Sequence, residues 1–411
     1  MDQLIGFLSG TCLFLAVASV VYHYTRNLVV PFVGWMLIIG TSYSILRTNT
    51  HIFEEWPSLT LSPEIVLHLL VPLLVFESGR KFGVRDFEKE KIPITFFSVV
   101  GVILTVFLVG IPTSFLLDIP LLHGLMFGAI IAPTDPVAVN AAFKKFTIPK
   151  RLKTQMEGES LFNDATGVLL FTMMYGIVIE NQRLAPENAI LFFLQSIGVG
   201  MLVGSAMGWM TATLLNTWKE NELAGTILTL SLAIAASLIC ETVFHASGII
   251  GALFSSMIFM RTETTMKKSE WRTFDTFWDH IGVVSNSVLF FLLGSSLGLL
   301  QEISFNWVFL AIIGVLAISR GVIIYGGGTL LHVFHSQVPM PWRNILYLGG
   351  IRGAISVALL LTVPEDYLFR DVFLWITFTI IIFTLILHPI LINAYLKRFP
   401  VKQEEESDTD S

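Results

Sequence analysis

Apolar runs of about 20 residues recur along this chain, each able to cross the hydrocarbon core of a bilayer as one helix. Lipid offers the backbone no hydrogen-bond partner, and a helix satisfies its own N–H and C=O groups. The runs fall near 4–22, 28–46, 61–79, 92–117, 121–143, 157–180, 190–215, 223–243, 246–261, 278–300, 306–333, 343–363 and 371–396. The shortest of them, 246–261, also fits a re-entrant segment. Of the 411 residues 54% are hydrophobic and only 14% charged, whereas a soluble domain carries about 25% charged residues. The predicted fold class is an all-α polytopic membrane protein of about thirteen transmembrane helices.

Lys and Arg stay preferentially on the cytoplasmic side of a membrane, which sets the orientation. With the N-terminus outside, Arg26, the basic stretches 80–91, 144–153 and 261–272, Lys219, Arg343 and the end of the chain at 397–402 all face inward. Only Arg47, Arg183 and Arg370 then lie outside, while Arg320 and Arg352 lie within spans. The first run has no basic region before it and no small-residue cleavage site, so it reads as a retained helix. Cys12 and Cys240 fall in spans and make neither a disulfide framework nor a metal pattern. The polar segment 399–411 is expected to be a disordered cytoplasmic tail.

Against this apolar background two acids stand out. Asp135 lies in GAIIAPTDPVAV and Asp164 in GESLFNDATGVLLF. Ionisable groups at bilayer depth are costly, and by default functional. Pro133 and Pro136 flank Thr134 and Asp135, and each proline removes a helix donor and pushes on the preceding turn. The pair should break the helix near mid-membrane, with Asp135 as N-cap and Pro136 opening a second half-helix. Unwound backbone at that depth lines a cavity, and its freed carbonyls suit a cation. In the next span Ser160 and Asp164 share one helix face, and Glu159 and Asn163 the adjacent one. At 1.5 Å per residue both aspartates sit roughly 11–12 Å from the cytoplasmic boundary.

Two arginines balance this charge. A buried guanidinium needs a carboxylate or the carbonyl end of a half-helix. Glu159 is the natural partner of Arg320, which leaves Asp135 and Asp164 for a mobile ion. Gly349, Gly350 and Gly353 around Arg352 permit a second helix break. Glu77, ending an apolar run, lines the cytoplasmic entrance or snorkels at the interface. Glu241 and His245 are expected to form an i, i+4 pair near the outer boundary.

Taken in order, FESG, TDP, GESLFND, WDHIGVVSNSVLFFLLG and GGIRGAISVAL resemble the monovalent cation:proton antiporters of the sodium–proton exchanger branch, over about residues 1–398. The resemblance implies inverted repeats and two crossing discontinuous helices, matching 121–143 and 343–363. It implies an interface domain (1–80 and 219–302) through which a homodimer forms, a core translocation domain (90–181 and 304–398) and a linker helix (190–218). By the same resemblance Asp135 and Asp164 bind the cation with the Thr134 carbonyl and the Ser160 hydroxyl, and Glu77 takes part through water. Glu159 and Arg320 make a structural ion pair, and Arg352 steadies the crossing. Asn163 stands where the electrogenic branch carries a second Asp, which implies electroneutral exchange. Ser78 departs from the more usual Ala, and the long tail that regulates animal exchangers finds no match in residues 399–411.

The expected function is exchange of Na+ or Li+ for H+ across the cell membrane, with no cofactor, no enzymatic activity and no nucleic-acid partner, serving pH and sodium homeostasis. K+ in place of Na+ is the nearest alternative. An intramembrane aspartyl protease is disfavoured, because Pro follows Asp135 and Ala follows Asp164 in place of GxGD surroundings. A passive channel is disfavoured by the membrane arginines and the broken helix.

Overall fold

The structure is a computed structural model. It describes residues 2–25, 28, 30–49, 62–135, 143, 146, 148–182, 186–218, 222–262, 268–297, 307–334 and 338–401. Helices make up nearly all of them, and no strand occurs among the described residues. In chain order they are α1 (Asp2–Thr25), α2 (Phe32–Asn49), α3 (63–81), α4 (84–117), α5 (Leu121–Ile131), α6 (Lys150–Val178) and α7 (Pro186–Thr217). There follow α8 (Glu222–Thr242), α9 (Gly248–Arg261), α10 (Lys268–Leu297), α11 (Trp307–Leu331), α12 (Met340–Leu348), α13 (Ala354–Leu361) and α14 (Arg370–Arg398). Seven of these rods carry a window long and apolar enough to span a bilayer, and shorter apolar helices lie before and between them.

Local chemistry explains where the rods begin and bend. Ser62 caps α3 by accepting the Ile65 N–H at 3.4 Å, and Pro63 takes the first helical position, where its missing N–H is no loss. In α4 the backbone leaves helical geometry at Glu90 (φ −115°, ψ 19°), just ahead of Pro93, whose ring crowds the preceding turn. The same helix ends on Asp118 in the left-handed conformation (φ 53°).

Packing depends on small residues where rods touch backbone to backbone. Gly200, Gly204 and Gly208 of α7 lie on Ser247, which caps α9, and on Gly251 and Ser255 within it, and a Cβ at Gly204 or Gly208 would strike a carbonyl oxygen of α9. This small-residue spacing gives α9 a full-length partner despite its fourteen residues. A separate apolar cluster, centred on Phe76 stacked at 4.5 Å on Trp278, joins α3, α7, α8, α9 and α10. The main core runs through the other helices and also takes in residues of α3, α7, α9 and α10.

Two charged positions, Arg80 and Glu241, depart from expectation, and Glu90 was not singled out in the sequence. Arg80, assigned to an inner loop, is the penultimate residue of α3, buried, and forked at 2.5 Å onto both Asp275 and Asp279 of α10. Glu90 is also buried, accepting from Arg151 Nε at 2.5 Å and Gln155 Nε2 at 2.6 Å and so tying α4 to α6. Glu241 does not pair with His245. Helix α8 stops at Thr242, His245 turns into the left-handed region (φ 50°), and Glu241 meets His68 of α3 at 2.8 Å instead.

Candidate cation site

Helix α5 ends at Ile131, and residues 132–135 leave the helix ahead of the second proline. The expected continuation from Pro136, including the N-cap role of Asp135, lies outside the described residues. Helix α12 ends at Leu348, and Gly349–Gly353 separate it from α13. The two breaks lie against each other. The Asp135 N–H donates to the Ile351 carbonyl at 2.8 Å, so unwound backbone at one break satisfies unwound backbone at the other. Glycine is required at the crossing, because a Cβ on Gly353 would collide with the Asp135 side chain.

Arginines close the carbonyl ends of α5 and α12. The last carbonyls of a helix lack partners and carry partial negative charge. Arg352 Nη1 donates to the Ala132 carbonyl and, at 3.1 Å, to that of Pro133. Its own N–H donates to Thr384 Oγ1 at 3.3 Å. Arg320 donates from Nη1 and Nη2 to the two carboxylate oxygens of Glu159, and Nη2 also reaches the Leu346 carbonyl at 2.8 Å. Neither guanidinium is spent on Asp135 or Asp164 through any of these bonds.

Helix α6 holds the break in place. Asn163 Oδ1 accepts the Thr134 N–H at 3.2 Å and its Nδ2 donates to Thr134 Oγ1 at 2.6 Å. The Ser160 hydroxyl donates to the Thr134 carbonyl, which keeps one lone pair for a further partner. Asp135, 8% exposed, and Asp164 line one cavity with Glu77, Ser78, Thr134 and Asn286. Its free volume is about 460 Å³ including the open mouth. Three carboxylates, the unwound backbone of Thr134 and hydroxyls around one cavity are hard oxygen donors, the set that suits a small cation.

The chain matches the family described as sodium/hydrogen exchanger, transmembrane, over residues 11–398. It belongs to that family. The Na(+)/H(+) antiporter ApNhaP of Aphanothece halophytica is 29% identical over 379 residues, covering 90% of this chain and 70% of the relative. The Na(+)/H(+) antiporter NhaP of Pseudomonas aeruginosa is 29% identical over 358 residues, covering 84% and 83%. The fold is similar to that of the sodium proton antiporter MjNhaP1 from Methanocaldococcus jannaschii, with a TM-score of 0.80 at 16% identity over 97% of this chain and 99% of that one. As a member of the sodium/hydrogen exchanger family the chain is a multi-pass membrane protein of the antiporter fold.

Asp135, Asp164, Thr134, Ser160, Asn163, Glu77, Glu159, Arg320 and Arg352 fall at or next to the crossing, whereas Glu241 and His245 lie away from it. The reading missed Asn286, whose only sequence signal is its place in an apolar run of α10. It also missed the bond between Glu77 and Lys81, although their i, i+4 spacing on α3 announces it.

Proposed function

We propose that the chain is a secondary active antiporter that exchanges Na+ for H+ at Asp135 and Asp164. The observation that carries this reading is the single cavity lined by both aspartates and the Thr134 carbonyl, beside two arginines bonded elsewhere. The family and the printed names of its relatives support sodium and protons as the ions.

Desolvation favours the neutral form of a carboxylic acid, and a neighbouring cation favours the ionised form, so protons and sodium compete for the same oxygens. Two carboxylates emptied of both would cross the membrane as bare charge, which the low-dielectric interior forbids. The site crosses loaded with one or the other, as the core domain (90–181 and 304–398) moves against the interface domain (1–80 and 219–302) of a homodimer. With Asn163 in place of a second acid beside Asp164, one sodium exchanges for one proton and no net charge moves. Thirteen spans then put the N-terminus outside and the C-terminus in the cytoplasm of a cell membrane. Acid slows the carrier by saturating the pair with protons, and alkali by withdrawing them.

The test is a pH-jump flux assay in proteoliposomes with Na+, Li+ and K+ in turn, with and without a voltage clamp. Sodium- and lithium-driven exchange that ignores the clamp is expected. Exchange confined to K+, or flux that follows the voltage, contradicts the ion preference or the stoichiometry respectively.

A further inference from the structure

Glu77 stands at the edge of the cavity with a partner that the exchange mechanism leaves unused. Lys81, one turn further along α3, bonds Glu77 Oε1 and stands 3.0 Å from Asp279 Oδ1 of α10. The lysine side chain is 53% exposed and that of Glu77 only 11%, so the ammonium reaches from the open side onto a buried carboxylate. Glu77 has little room to follow it outward. Gly282 of α10 packs against it, and a Cβ there would sit 3.1 Å from the carboxyl carbon. Asp279 is held in turn by Arg80, whose guanidinium also grips Asp275. Within this cluster three carboxylates thus face two cations, which leaves it one positive charge short, beside Asp135 and Asp164 of the same cavity.

We propose that Lys81 is a tethered competitor of the transported ion: its ammonium occupies Glu77 in the empty carrier and shifts fully onto Asp279 when sodium takes that carboxylate. This rests on the cavity being the exchange site. An ammonium is a compact point charge on a flexible stem and re-pairs readily, whereas a guanidinium forks onto a carboxylate and stays. A half-exposed ion pair is also weak enough to open during turnover. Lys81 therefore sets the affinity for the cation rather than the exchange chemistry, acting as a positioning residue through Glu77.

The experiment measures KM and kcat for sodium in proteoliposomes. Lys81→Met and Lys81→Gln are each expected to lower KM about three- to tenfold, by removing the competitor. Lys81→Arg, which keeps the charge, leaves KM at or above the wild-type value. In a Glu77→Gln background Lys81→Met should move KM by less than about twofold, since the contested carboxylate is gone. A KM that is unchanged or raised in both neutral variants, with Asp164→Asn inactive, overturns the role of Lys81 and leaves the exchange site standing. Exchange that survives Asp164→Asn overturns the exchange reading itself.

Discussion

At the scale of single residues, the buried ions are the side chains with most at stake. Arg320 and Glu159 form a forked pair with little exposure on either side, and Arg320 also serves the end of α12. Arg320→Ala leaves Glu159 buried and unpaired and should destabilise the fold by about 3–5 kcal/mol. A melting temperature in detergent equal to wild type would refute this, and joint replacement of both residues by apolar ones should recover much of the loss. Asn163 tests another point. It bonds Thr134 as donor and acceptor together, which an amide does and a carboxylate cannot. Asn163→Asp adds an ionisable group beside the break, and exchange should become dependent on a clamped voltage; flux indifferent to voltage would show that this position does not set the stoichiometry.

Much of this was legible in the sequence because a charge in an apolar run has few bland explanations. Asp135, Asp164, Arg320 and Arg352 each stood out for that reason, and the double proline announced the break. What escaped, the Glu159–Arg320 pair apart, was contact between helices distant in the chain. His68 and Glu241 meet across α3 and α8, and nothing in either local segment points to the other. The i, i+4 spacing of Glu241 and His245 misled, because spacing has meaning only while the helix lasts, and α8 ends at Thr242.

At the scale of elements, the crossing and the glycine seam depend on close backbone approach. Gly353→Ala drives a methyl into Asp135. Because that contact lies at the cavity wall, the variant should lose exchange activity in proteoliposomes far more than it loses thermal stability. Activity close to wild type would mean that the crossing tolerates displacement. Gly204→Val tests the other seam, where the added carbons meet the Gly251 carbonyl of α9. Overpacking of this kind costs about 1–3 kcal/mol, so its signature is a lowered melting temperature with the sodium KM of the surviving protein unchanged. A shifted KM would instead couple the α7–α9 seam to the site. The crossing was implied by the family resemblance, but the α7–α9 seam was not read from the sequence: glycines at regular spacing mark a helix face as small, and the partner face is supplied by the fold.

At the scale of the whole molecule, the end of α5 meets the break between α12 and α13 with an arginine on the carbonyl ends of α5 and α12, and the acidic cavity lies beside that meeting point. Through these bonds the two guanidiniums serve helix-end carbonyls and Glu159, and under the proposed function Asp135 and Asp164 hold a mobile ion. The central claim is that proton and sodium are alternatives at one site. Calorimetric titration of the purified protein with sodium, across a range of pH and in buffers of differing ionisation enthalpy, tests it most directly. Competition predicts that sodium binding weakens as pH falls and that each ion bound releases about one proton. Sodium uptake of constant affinity across that range, with no proton released, would contradict the account.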